Sequence, residues 1–182
     1  MSENLSPDIL WNALTPADVE TGARTLLAGK YPGGRDDADQ ALAAVATARR
    51  FRSSFLRRRK PEQNMPLLLP LLRQGTDLRL RLDVVKAWLI GEHLAMFSQF
   101  LDSAGVAHQD GFVEDDAPNM TKDQVKKAIT EVAPQHPPRA VAVYLGLQIF
   151  AGGEFSAALG PALEELDWPL LENLQGEPKP AE

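Results

Sequence analysis

Cysteine is absent from the 182 residues, which excludes disulfides, thiolate metal sites and cysteine nucleophiles together. Histidine occurs three times, at His93, His108 and His136, so the side chain best suited to acid–base and metal work near neutral pH is scarce. Long apolar runs are missing as well. Leu67 to Leu72 is too short, and Val84 to Phe97 is interrupted by Lys86, Glu92 and His93, below the roughly 20 residues of a membrane span. No stretch alternates with period two long enough to require a sheet. No serine stands in a nucleophile elbow, and no two carboxylates have a setting that would drive their pKa values apart. Gly33-Gly34 and Gly152-Gly153 lack the strand-to-helix context of a phosphate loop and read as turns. The N-terminal MSENLSPDILWNAL has no basic region leading into an apolar run, so it is not read as a signal peptide. A cytoplasmic protein with no cofactor is expected. Arginine exceeds lysine twelve to seven, and alanine and leucine are abundant, a composition that points to a GC-rich bacterium.

What is present is helical. A hydrophobic fraction of 44% and a charged fraction of 24% are those of an ordinary globular chain. Three helix starts are written out. Thr15-Pro16-Ala17-Asp18 and Thr121-Lys122-Asp123-Gln124 place a threonine N-cap three residues before a side chain that can reach back to it, and Ser6-Pro7-Asp8 is a looser version. Periodicity and stop signals predict helices near 7–13, 16–28, 37–59, 62–74, 77–104, 122–133, 138–151 and 154–166, with a bend or break near Gly91. In the helix over 37–59, Ala41, Ala44, Ala48, Phe51 and Phe55 form the expected inward seam. Trp11, Trp88 and Trp168 are expected core anchors. The expected fold is all-α: a single-domain helical bundle of seven to nine helices over residues 1–174, a disordered tail over 175–182, and at most one minute β-hairpin near 106–113, around Asp110-Gly111.

Residues 66–91, PLLLPLLRQGTDLRLRLDVVKAWLIG, resemble a single HEAT-type helix pair. Leu68, Leu71, Leu72, Asp77, Arg79, Val84, Ala87, Leu89 and Gly91 fall roughly where that repeat keeps apolar, acidic and basic residues. The resemblance covers about a seventh of the chain, and no second copy follows at a period of about forty residues, whereas a solenoid stacks several. No family assignment is drawn from it.

Charge is the most uneven feature. The formal net charge is -6, yet residues 49–86 carry eleven basic and three acidic groups, whereas residues 87–182 carry five and fifteen. The excess peaks in RRFRSSFLRRRK (49–60), with seven positive charges and no negative one. Arg49, Arg50, Arg52, Arg57, Arg58, Arg59 and Lys60 form a candidate patch for an anionic partner. The last four would also complement the dipole at a helix C-terminus. With Phe51 and Phe55 expected to face the core, stacking on bases is not expected from them. Pairing of the arginines with the protein's own acids at 110–116 is the alternative to an external ligand.

That acidic loop also holds the one metal candidate, His108 with Asp110 and Glu114. The calcium-loop pattern fails on it, because with Gly111 as the invariant glycine the first ligand position falls on Val106. His93 and His136 read as helix and loop residues without a ligand set. The sequence therefore points to a non-enzymatic helical protein with an interaction or scaffolding role, self-association included. The alternatives are a nucleic-acid-binding module using helix 49–60 and, third, a metal or enzymatic site around His108.

Overall fold

The structure, a computed structural model, describes residues 5–75, 77–113, 119–151 and 154–175. They form ten α-helices: α1 Pro7–Asn12, α2 Pro16–Ala28, α3 Gly34–Arg49, α4 Ser53–Arg57, α5 Pro61–Gln74, α6 Leu78–Ala104, α7 Lys122–Val132, α8 Pro138–Ala151, α9 Glu154–Glu165 and α10 Leu170–Gln175. A 3-10 turn, Ala133–Gln135, follows α7. The all-α class stands. Ten helices exceed the expected seven to nine for two reasons: the predicted helix over 37–59 is two helices, and α10 carries too few residues to announce itself by periodicity. The expected disordered tail lies outside the described residues except Gln175, which closes α10.

Two compact units are present, Leu14–Glu92 and Met1–Ala13 with His93–Glu182. The second boundary falls inside α6 at His93, whose backbone (φ -130, ψ 21) leaves the helical region.

In the unit Leu14–Glu92, α2 starts where its sequence says. Thr15 Oγ1 accepts the Asp18 N–H at 3.2 Å, and Asp18 returns the bond to the Thr15 N–H at 2.8 Å. Gly29, with φ 59, ends it. The core gathers Leu26, Leu56, Leu68, Leu72, Val84, Trp88 and Leu89, all nearly inaccessible. Gly22 and Gly91 have packing roles. A Cβ on Gly22 would stand 2.5 Å from the Val84 carbonyl, and one on Gly91 would stand 2.6 Å from Thr25 Oγ1. The break expected near Gly91 falls two residues on, at His93, and Gly91 itself lets α2 approach. The predicted helix pair over 66–91 is seen as α5 and the start of α6, joined through Gly75 at φ 72. Arg81 caps α5 by donating from Nε to the Leu72 carbonyl at 3.1 Å.

In the other unit, α8 is buried on every side from Ala140 to Leu145, as its unbroken apolar sequence requires. Tyr144 packs against Phe97 and Phe100 at centroid distances of 4.6 and 5.3 Å. Gly146 admits Leu10 of α1, whose Cδ2 would lie 2.6 Å from a Cβ there. Thr121 and Gln124 form the predicted capping box of α7. The expected hairpin is reduced to one antiparallel bridge, Gln109 to Phe112, with bonds of 2.9 and 3.0 Å. Asp110 (φ 51) and Gly111 (φ 83) make its turn. Of the tryptophans, Trp88 is buried while Trp11 and Trp168 are half-buried.

Candidate interaction site

The basic stretch lies entirely in the unit Leu14–Glu92, and its helix is broken where the sequence predicted continuity. The Arg50 N–H reaches the Thr47 carbonyl at 3.4 Å and the Phe51 N–H reaches the Ala46 carbonyl at 2.9 Å. This is the Schellman pattern that ends helices, and it requires a left-handed residue. Arg50 supplies it at φ 55. The chain then passes through extended Arg52 into the short helix α4.

The predicted roles of the aromatics are reversed. Phe51 is 43% exposed and Phe55 52%, while Leu56 is fully buried. Phe51 and Phe55 continue the face of Ala48, which α3 turns to solvent, whereas Leu56 continues the buried face. The seam that α3 actually buries runs Ala38, Ala41, Leu42, Val45 and Ala46, leaving Ala48 exposed. Alanines on several faces made both phases plausible by pattern alone.

On the surface, Phe51 and Phe55 touch with ring centroids 5.9 Å apart and planes tilted by 59°. The Arg59 guanidinium stands 5.6 Å from the Phe55 centroid, a cation–π distance, and its Nη2 donates to the Gln63 carbonyl at 2.7 Å. Arg57 pairs with Asp39 at 2.8 Å. Arg49, Arg50, Arg52, Arg58 and Lys60 are exposed. Among the described residues of this unit, no carboxylate lies within ion-pairing distance of Arg49, Arg50, Arg52 or Arg58. The acids at 114–116 lie outside the described residues.

The patch rests on a fixed base. Asn64 of α5 is 2% exposed and donates from Nδ2 to the Leu56 carbonyl at 3.0 Å, tying α4 down beside the buried Leu56 side chain. Its Oδ1 has no partner.

A second charged cluster in this unit is structural. Asp37 accepts from the Tyr31 hydroxyl at 3.1 Å and from Lys86 Nζ at 2.5 Å, and Lys86 stands over the Tyr31 ring. Burial, with Asp37 beside it, pushes the Tyr31 phenol well above its ordinary range. Half-burial, reinforced by Asp37, also raises the Asp83 carboxyl. The network pins the α2–α3 turn to α6.

The predicted metal candidate is otherwise engaged. His108 Nδ1 accepts the Gly111 N–H at 3.1 Å, and Nε2 faces Asp102 Oδ1 at 3.2 Å. Both ring nitrogens are committed to holding the turn. Asp110 is a turn residue at positive φ, and Glu114 lies outside the described residues. Among the described residues no three His, Asp or Glu side chains group as a metal site. His136 Nε2 meets Gln99 Oε1 at 2.6 Å. No described helix is long and apolar enough to cross a membrane. No family model, no curated protein and no solved structure matches the chain.

Proposed function

We propose that this chain is a non-enzymatic interaction protein that holds an acidic protein surface on the patch Arg49–Lys60. The observation that carries the reading is the exposed Phe51–Phe55 pair set among Arg49, Arg50, Arg52 and Arg58, which have no acidic partner among the described residues of their own unit. Arginine and aromatic side chains are the groups that dominate binding at protein interfaces. The guanidinium forks match carboxylates bidentately, and the rings supply apolar area that a purely electrostatic surface lacks. The arginine-, alanine- and leucine-rich composition supports a bacterial source.

Nucleic-acid binding is the second reading, favoured by the same ring exposure. Three details weigh against it. Arg59 already stands over Phe55, and the tilted ring pair is not a parallel platform for successive bases. A chain of net charge -6 also attracts a long polyanion poorly. The test is fluorescence anisotropy with two labelled probes, an Asp/Glu-rich peptide carrying phenylalanines and an oligothymidine of matched charge. The peptide is expected to bind more tightly, and to lose at least about tenfold in affinity in Arg49→Ala/Arg52→Ala/Arg58→Ala, the loss of about 1.4 kcal/mol that one good charged contact represents. Tighter binding of the oligonucleotide would install the second reading, and binding of neither would end both.

A further inference from the structure

An acidic surface with the chemistry the patch requires occurs on this chain itself. Helix α9 ends as α3 does. The Asp167 N–H reaches the Glu164 carbonyl at 3.2 Å, and the Trp168 N–H reaches the Leu163 carbonyl at 3.1 Å. Asp167 takes the left-handed position at φ 49. Both corners put a charged, non-glycine residue in that position and an aromatic directly after it: Arg50 then Phe51, Asp167 then Trp168. The signs are opposite.

At the α9 corner Asp167 and Glu172 are exposed and Trp168 is half-buried. Among the described residues of its own unit, no cation lies within pairing distance of Asp167 or Glu172. The neighbouring Glu165 is held by Lys122 and Lys126.

We infer that the occupant of the basic patch is a second copy of this chain, docked through the acidic corner Asp167–Glu172 with Trp168 against the Phe51–Phe55 pair. The inference rests on the docking role proposed above for the patch. A contact of patch on patch would set seven positive charges against seven, so the patch of one copy meets the corner of another. It cancels the charge segregation visible in the sequence. The few side chains on each side make an interface below the roughly 1,200–2,000 Å² of stable complexes, so association is weak and sensitive to salt.

The test is sedimentation velocity on the full chain from about 1 µM to about 500 µM, a range that brackets weak interfaces. Weight-average mass should rise with concentration at a salt concentration of about 0.1 M and return to that of the monomer at about 1 M, where the Debye length shrinks to about 3 Å. Two charge-altered variants make the test reciprocal. Arg52→Glu/Arg58→Glu reverses the patch, and Asp167→Asn/Glu172→Lys alters the corner while keeping a residue that tolerates the left-handed position. Each is expected to be monomeric alone with an unchanged thermal melt, and an equimolar mixture should recover the association. A wild-type protein that stays monomeric throughout, association that survives both variants, or a mixture that fails to recover it, each overturns the inference. The acidic peptide probe separates the two failures. If the wild-type chain is monomeric yet binds the peptide, self-docking falls and the docking role stands; if it does neither, both fall.

Discussion

Arg50 decides what the basic stretch presents. A left-handed backbone costs a non-glycine residue about 1–2 kcal/mol, and glycine would relieve this at an entropic cost of about 0.5–1 kcal/mol. Arg50→Gly should therefore stabilise the protein by about 0.5 kcal/mol, seen as a rise of a few degrees in the melting temperature, whereas Arg50→Val should lower it. A fall for the glycine variant would contradict the corner described at φ 55. Nothing local announces this position, because the usual signal for a helix end is glycine and the chain carries arginine there. Thr15, Thr121 and Gly29 lie at the other extreme. Their roles follow from side-chain chemistry within four residues, and the structure agrees with each.

Elements were legible where local chemistry sufficed and lost where tertiary packing chose between equivalent patterns. The phase of α3 is the clearest case. With alanine on several faces, the seam through Ala44 and Ala48 and the seam through Leu42 and Val45 fit the same sequence, and only packing selects the second. The buried phase extends naturally to Leu56, not to Phe55. Leu56→Ala should cost about 2–5 kcal/mol, the range for emptying a packed aliphatic site. Phe51→Ala and Phe55→Ala should each stay within about 0.5 kcal/mol of wild type, as exposed substitutions do, while weakening the acidic peptide. Chemical denaturation of the three variants measures the contrast. A large loss for Phe55→Ala would restore the inward seam. The break expected near Gly91 is present at His93, while the second role of Gly91, accommodating Thr25, depends on a contact distant in sequence. His108 looked like a ligand by its acidic neighbours, and the bond from Gly111 that occupies Nδ1 depends on a turn geometry that sequence only outlines.

For the whole molecule, the charge asymmetry was legible in full and its consequence for pH follows from two carboxylates shifted in opposite directions. Half-burial and Asp37 raise Asp83 above its ordinary 3.8, so the folded state binds this proton more tightly than the unfolded chain. The stability it contributes is present below 3.8 and is lost as pH rises through the raised value. Glu165 is the reverse. Hydrogen bonds from Lys122 and Lys126 hold it down to about 2 from 4.5, so its contribution is present above 4.5 and is lost as pH falls toward 2. Melting temperature should therefore climb on acidification from neutral pH, pass a maximum in the mildly acidic range, and drop at lower pH. Thermal melts in dilute protein across that range test it. Asp83→Asn should raise stability at neutral pH and flatten the climb, because the buried site no longer holds a charge. Glu165→Gln should reduce stability above 4.5 and soften the low-pH drop, with its effect at neutral pH small, since the site is solvent-exposed and salt-screened. A neutral-pH loss in Asp83→Asn would show that Lys86 and Arg79 favour the ionised carboxylate more than burial opposes it, reversing the sign of the climb.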